Sequence, residues 1–254
     1  MKLLFALSLA VVLSGCSKTD ADVQTGSGGP APASTASTTG NSSSPAGAPS
    51  AGTQAAPAPA VAPPQILTKP PTVKAAPPDK TPIPNRKPKD GDEVAVMETS
   101  MGQVVLMFFP DIAPNHVANF KYLARKNFYD GTKFHRIIPN FMIQGGDPNT
   151  KGPDTSTWGG GGPGYTINDE YNDTKHLAGI LSAASTPEPN SSGSQFFIVV
   201  APSTFLDHKY TAFGKVVTGM DTVEKIRVVP TGEQDRPNDP PVIKSVKIVK
   251  WPIK

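Results

Sequence analysis

Phe134-His135-Arg136-Ile137-Ile138-Pro139-Asn140-Phe141-Met142-Ile143-Gln144-Gly145-Gly146-Asp147 consists of two short apolar runs separated by Pro139-Asn140. Short apolar runs bounded by such a pair read as strands joined by a turn. Proline cannot donate to a central ladder, so the chain must reverse or bend there. Alternation places Phe134, Arg136 and Ile138 on one face and His135 and Ile137 on the other. After the turn, Met142 and Gln144 alternate with Phe141 and Ile143. An arginine and a glutamine interleaved with Phe and Met do not suit a plain core strand. Charged side chains are rarely buried without a partner, so Arg136 requires solvent or a task.

The pattern Phe-His-Arg-Ile-Ile-Pro-x-Phe-Met-x-Gln-Gly-Gly-Asp resembles the central signature of the cyclophilins, peptidyl-prolyl cis-trans isomerases that bind cyclosporin. Gly179-Ile180-Leu181-Ser182-Ala183-Ala184 with Gly193-Ser194-Gln195-Phe196-Phe197-Ile198 matches a second block, and Phe205-Leu206-Asp207 with Ala212-Phe213-Gly214-Lys215-Val216 a third. The resemblance spans roughly Asp92 to Val249. It implies a mostly-β fold, an eight-stranded antiparallel barrel capped by two helices. Periodicity alone gives mostly β with two helices.

The rest of the chain supplies three regions. Lys2 and the apolar run Leu3 to Leu13 read as a secretory signal, too short to span a membrane as a helix. Leu13-Ser14-Gly15-Cys16 resembles a bacterial lipobox, making residues 1–15 a lipoprotein signal peptide and Cys16 a lipidation site. A diacyl group with N-acylation exceeds the two signals that stable anchoring needs. The alternative is an ordinary signal with an incidental cysteine. Ser17 after Cys16, rather than Asp, points to the outer membrane of a cell that has one.

Residues 16–90 form the second region. Between Ser17 and Asp90 there is no Phe, Trp or Tyr, while 15 of the 29 prolines lie there. Such a segment buries too little apolar surface to offset its ordering entropy, and it is expected to be a disordered tether. Its span is about 50 Å as a flexible coil and up to about 230 Å as polyproline II. It reads as a passive spacer; the alternative is that its X-Pro bonds visit the active site of the chain's own domain.

Residues 91–252 are the folded domain, about 160 residues around one core. Glu93 to Glu98 and Val104 to Phe109 form a hairpin through Ser100-Met101-Gly102. Pro114 opens a helix whose apolar face is Val117, Phe120, Tyr122, Leu123 and Ala124, and Arg125 and Lys126 suit its C-terminus. A second helix is expected over Met220 to Val228 and a closing strand over Val242 to Val249. The segment Thr166 to His176 is polar and expected on the surface, with Asp169-Glu170 a solvated pair.

Several chemistries are excluded. A net charge of +3 without aromatic-interleaved basic tracts gives no nucleic-acid partner. One cysteine forbids an internal disulfide or thiolate cluster, and four scattered histidines lack metal-ligand spacing. Gly159 to Gly162 lacks the strand and Lys-Ser/Thr of a phosphate loop. No Gly-x-Ser-x-Gly occurs. No metal or other cofactor is expected, and a monomer is.

The resemblance implies the residue roles. Arg136 matches the catalytic arginine, which binds the proline carbonyl, and Gln144 the group that positions arginine and substrate. Phe141, Met142, Phe197 and Leu206 match the proline pocket, and Gln195 lines its floor. Ala184 and Ser185 border the substrate, with Ser185 backbone groups pairing with the residue before proline. Phe205 stands where a tryptophan is usual, so cyclosporin binding should be weak, and Tyr210 where a histidine is usual. The loop Ser185 to Asn190 is one residue longer than usual. His135 is structural. The substrate class implied is proline-containing polypeptides outside the cytoplasm, with the lipid anchor as membrane partner. The alternatives are a proline-peptide chaperone with little turnover and an envelope interaction module.

Overall fold

The computed structural model describes residues 67–253. The expected signal peptide, Cys16 and the first part of the tether lie outside the described residues.

Eight strands and two helices follow in order: β1 Glu93–Thr99, β2 Gly102–Phe108, α1 Pro114–Arg125, β3 Arg136–Ile138, β4 Met142–Gly145, β5 Ile180–Ala183, β6 Phe196–Val199, β7 Ala212–Thr218, α2 Met220–Arg227 and β8 Ile243–Lys250. All pairings are antiparallel, in the spatial order β3-β4-β6-β5-β7-β2-β1-β8. The ends of that order meet. Lys133 bridges Val242, Phe134 donates to the Pro241 carbonyl at 2.9 Å and Ile243 to that of Thr132 at 2.8 Å. The sheet thus curls back on itself, which leaves less free edge to template foreign strands.

The inner face holds the main core. Val104, Leu106, Phe108, Ile143, Leu181, Phe196, Ile198 and Phe213 meet Val117, Phe120, Leu123 and Ala124 of α1 there. Phe120 is its hub, with ring centroids 4.9 Å from Tyr129, 5.6 Å from Phe108 and Phe196 and 5.8 Å from Phe213. Fully burying such a ring contributes about 1.5–3 kcal/mol. Tyr122, expected on the same helix face, is only half-buried.

Alternation holds within Arg136 to Ile138 and Met142 to Gln144 but not outside them: Phe141 packs with Met142 and not on the face of Ile143. Phe134 is fully buried beside Ile137 in the main core, not on the face of Arg136 and Ile138. The ladder begins only at Arg136, so the period-two rule does not extend back to Phe134.

Two surface expectations are also overturned. Glu170 is no solvated carboxylate: it accepts from the backbone N–H of Asn115 at 3.1 Å and of His116 at 3.0 Å, and from Asn115 Nδ2 at 2.8 Å. Ala113, at the start of α1, offers no side-chain cap, so a carboxylate from elsewhere in the chain satisfies the orphan donors. His176 is buried, 1 % exposed, for reasons given with the site.

The ordered part of the chain begins earlier than its composition suggests, inside the stretch expected to be tether. Residues 67–90 run along the domain. Leu67 N–H donates to the Pro163 carbonyl, and Ala76 N–H to that of Pro110, both at 3.0 Å. Arg86 is the anchor: Nη1 meets Asp111 at 2.8 Å, Nε the Thr81 carbonyl at 3.0 Å and Nη2 the Asp79 carbonyl at 2.5 Å, with the guanidinium carbon 5.6 Å from the centroid of the Phe109 ring. Lys215 Nζ adds bonds to the carbonyls of Ile83 and Pro84. A segment poor in apolar side chains is held here through its backbone and one buried guanidinium, which composition does not report.

Candidate active site

The outer face of the same strands carries a second apolar cluster. Met142, Phe197, Val199, Leu206 and Ala212 are buried in it, and Phe141, Ala184, Tyr210 and Ile138 flank it half-exposed. Strand register sets the arrangement. Arg136 pairs with Gln144, Gln144 with Phe197 and Phe197 with Ser182, so one row crosses β3, β4, β6 and β5. The next row is Ile138, Met142 and Val199. A cationic fork and an amide therefore stand at the edge of an apolar floor.

Aromatic rings shape the sides. Phe205, 62 % exposed, lies 5.3 Å from Phe141, and Tyr210 meets Phe197 edge-on at 5.7 Å. On the polar side, Gln144 Nε2 donates to Gln195 Oε1 at 3.0 Å, and Gln195 Nε2 donates to the carbonyls of Gly159 and Gly161, both at 2.9 Å. A cavity of about 280 Å³ adjoins, lined by Gln144, Gln195, Ala184, Ser185, Pro163 and the glycines 159–162. The glycine segment is fixed by buried Asp147, which accepts from Gly159 N–H at 2.5 Å and Asn149 N–H at 2.8 Å. A Cβ on Gly161 would collide with the Asp147 carboxylate, so the close approach requires glycine.

Sequence reasoning missed the supports. Arg136 Nε faces Asp235 Oδ2 at 3.2 Å. Asp235 and Gln234 both take left-handed φ, 57° and 60°, in a turn that Arg236 holds by lying 5.9 Å from the Trp158 ring. Arg227 of α2 donates to the Pro139 carbonyl at 2.9 Å, pinning the β3–β4 turn. No local signal marks Asp235; Asp147 stood at the end of the stretch already quoted.

Beneath Phe197, His176 stacks at 6.2 Å with its Nδ1 3.1 Å from Asp207 and its Nε2 3.1 Å from Ser182 Oγ. This has the connectivity of a Ser-His-Asp triad. Ser182 is fully buried and donates to the Thr211 carbonyl at 3.0 Å, so it has no access to a substrate. The trio fixes the floor. Burial pushes the His176 pKa down despite Asp207 beside it. Burial also pushes the Asp207 carboxyl up, but bonds from His176 and Lys175 outweigh it and the pKa falls. His135 is buried too, and desolvation lowers its pKa. Among the described residues no group of three His, Cys, Asp or Glu is placed to hold a metal ion, and no helix is long and apolar enough to cross a membrane.

Comparison with known proteins agrees with this architecture. Residues 94–248 match the family model described as cyclophilin type peptidyl-prolyl cis-trans isomerase/CLD. The chain is 46% identical over 159 residues to the peptidyl-prolyl cis-trans isomerase-like 1 of Gibberella zeae, covering 61% of this chain and 91% of that protein. The human protein of that name is 46% identical over 158 residues, covering 61% and 88%. Among solved structures, a Cryptosporidium parvum cyclophilin type isomerase, crystallised in the presence of the dipeptide Ala-Pro, superimposes with TM-score 0.57 at 32% identity, covering 62% of this chain and 99% of that one. The cyclophilin AquaCyp293 from Hirschia baltica superimposes at TM-score 0.52 and 28% identity, covering 61% and 73%. The chain belongs to the cyclophilin-type peptidyl-prolyl cis-trans isomerase family, and its enzymatic class is that of a peptidyl-prolyl isomerase.

Proposed function

We propose that the chain isomerises X-Pro bonds of extracytoplasmic polypeptides, as a monomer held to the bacterial envelope through a lipid on Cys16. The outer-face site carries the catalytic part of this reading, and the lipobox-like Leu13-Ser14-Gly15-Cys16 carries the location.

An X-Pro bond exchanges in tens to hundreds of seconds because twisting it forfeits amide resonance, a barrier of about 18–20 kcal/mol. No proton has to leave and no covalent intermediate is needed. A catalyst must hold the pyrrolidine ring and favour the twisted amide over both planar forms. The floor of Met142, Phe197 and Leu206 with Phe141 beside it supplies an apolar seat. Arg136 stands over that floor with Nε turned to Asp235, which leaves its two Nη groups for the proline carbonyl and the amide nitrogen. A permanently charged, rigid fork suits this better than a lysine. Gln144 positions the arginine and the substrate, while Gln195, Ala184 and Ser185 border the residues before proline. Phe205 and Tyr210 close the sides.

The single observation carrying the catalytic reading is the row Arg136–Gln144–Phe197, cation, amide and apolar floor in one register. The test is NMR exchange of a short Ala-Pro peptide with the full chain and its Arg136→Ala variant. Acceleration by wild type and a loss of about 10²–10³-fold in the variant, the range for removing one transition-state donor, is expected. Binding without acceleration by wild type would make the pocket a recognition module. Globomycin-sensitive processing of the precursor in cells, abolished by Cys16→Ala, tests the anchor.

A further inference from the structure

The turn that brings Asp235 to Arg136 is held in an unfavourable shape. Gln234 and Asp235 take φ of 60° and 57°, a region that L side chains avoid, and two such residues in succession persist only where the surroundings impose them. Part of the imposition is local. Gly232 N–H donates to the Arg236 carbonyl at 2.8 Å, Arg236 N–H to that of Glu233 at 3.2 Å, and Thr231 bridges Pro237. These bonds run within the turn, so they set its shape rather than its place beside β3. The Arg236 side chain reaches outward: its Nη2 donates to Gln234 Oε1 at 3.1 Å, and its guanidinium carbon lies over the Trp158 ring, 5.9 Å from the centroid.

Trp158 is fixed from its own side. Its N–H donates to the Thr155 carbonyl at 3.4 Å, and Asn149 Nδ2 donates to the carbonyl of the preceding Thr157 at 2.9 Å. The following residue, Gly159, is held by Asp147 through its N–H and by Gln195 through its carbonyl. The ring is half-buried, with Lys133 Nζ, just ahead of β3, a further cation 4.9 Å from its centroid. Indole offers the most attractive face of any side chain to such cations.

We infer that Trp158 is a positioning residue of the active site: by seating Arg236 it places the turn so that Asp235 meets Arg136. The inference rests on the proposed isomerase reading and carries it beyond the pocket, since neither Trp158 nor Arg236 lines the 280 Å³ cavity. It joins the glycine rim and the catalytic arginine in one support, running from Gly159 through Trp158, Arg236 and Asp235 to Arg136. Losing the ring leaves the rim's own hydrogen bonds in place, because they run through the backbone of residues 157–161. The cost therefore falls on kcat and not on KM.

The test follows exchange of an Ala-Pro peptide with full-chain variants, together with the Arg136 Nε–H resonance in ¹⁵N spectra. Trp158→Leu should lower kcat about three- to tenfold with KM within about twofold. Asp235→Ala should then cost less than about twofold more in the Trp158→Leu background, since the two act in one chain. Trp158→Phe, which keeps an aromatic face, should hold kcat within about twofold of wild type, and so should Lys133→Met, which removes a cation but leaves the turn. Trp158→Leu and Asp235→Ala should move the Arg136 Nε–H signal in the same direction. A loss of folded protein would multiply the two kcat losses instead of merging them. If Asp235→Ala still costs its full three- to tenfold beside Trp158→Leu, if Lys133→Met lowers kcat as much as Trp158→Leu, or if Trp158→Leu leaves the Nε–H signal unmoved, the inference fails and the isomerase reading stands. If wild type does not accelerate exchange, the isomerase reading itself fails and takes this inference with it.

Discussion

Arg136 and Asp235 lie 99 residues apart in sequence, yet Nε and Oδ2 stand 3.2 Å apart across the rim of the site. Both side chains are 44 % exposed, so the pair contributes little stability, about 0–1 kcal/mol. Its consequence is geometric: one edge of the guanidinium is taken, at the end of the row that runs through Gln144 to Phe197. Asp235→Ala is expected to leave the melting temperature within about 3 °C and to lower kcat for an Ala-Pro peptide about three- to tenfold, with KM little changed. Asp235→Asn should retain more of kcat because it still accepts from Nε. Equal losses in the two variants would mean that charge, not aim, is what Asp235 supplies.

Gln195 couples the catalytic row to the glycine rim, since its Nε2 holds the carbonyls of Gly159 and Gly161 while its Oε1 accepts from Gln144. Gln195→Leu removes three hydrogen bonds at a half-buried position and releases the rim. A peptide with two residues before the proline should show a KM raised about tenfold, about 1.4 kcal/mol, with a smaller change in kcat. A peptide with nothing before the X-Pro pair should be affected less. That contrast separates rim binding from a general loss of the site.

Much of this was readable from the sequence, and the failures at the site and its supports share a cause. Alternation along Arg136 to Ile138 and Met142 to Gln144 correctly separates Ile137 and Ile143, inside, from Arg136, Met142 and Gln144, outside. That rule needs only the local pleat. Glu170, His176, Asp235 and Arg86 were misplaced or missed because each is defined by a partner far along the chain: Asn115, Asp207, Arg136 and Asp111. Composition assigned residues 67–90 to the tether because they lack aromatic rings, while their order comes from backbone hydrogen bonds and one buried guanidinium.

That guanidinium gives the third prediction. Arg86 and Asp111 are 8 % and 6 % exposed, and removing one partner leaves a buried charge uncompensated. Arg86→Ala is expected to destabilise the protein by about 3–5 kcal/mol in denaturant titration. Arg86→Met with Asp111→Leu together should recover only part of that loss: the apolar pair needs no charge desolvation, but the Thr81 and Asp79 carbonyls and the Asp79 N–H lose their partners. Starting the chain at Gly91 would remove the Arg86 anchor and expose the Phe109 ring it covers, with a comparable loss.

Acid should act in two stages. The pKa values of His135 and His176 are lowered from 6.5, chiefly by burial, so the folded protein holds both neutral where the unfolded chain begins to take up protons. Stability is therefore complete above about pH 6.5 and falls as pH drops toward the folded values, by about 1.4 kcal/mol per pH unit for each histidine. Glu170 and Asp207 have pKa values lowered from 4.5 and 3.8. Burial raises both, but the donors at His116 and Asn115, and at His176 and Lys175, prevail. Their stabilisation is present above those reference values and is lost below them. Melting temperature against pH should show a plateau, a first decline beginning near pH 6.5 and a second below about pH 4.5. His176→Gln should be less stable at pH 8 and show a shallower first decline; an unchanged slope would mean that folding does not lower the His176 pKa.

The last prediction concerns the exposed lip. Phe205 is 62 % exposed with its ring 5.3 Å from Phe141, and it occupies the position at which the family resemblance expects a tryptophan. Phenylalanine keeps the aromatic wall for a proline substrate but has no N–H. A ligand that accepts a hydrogen bond at this lip, as the resemblance implies for cyclosporin, loses about 1 kcal/mol or somewhat more. Phe205→Trp should therefore tighten cyclosporin binding about five- to tenfold, while kcat/KM for an Ala-Pro peptide changes less than twofold. Calorimetry and peptide exchange read the two effects separately. Because the side chain is exposed, the larger indole projects into solvent and leaves the buried Leu206 and Met142 undisturbed. A variant that gains nothing for cyclosporin would place the deficit elsewhere, with Tyr210 on the opposite wall the next residue to exchange, to histidine.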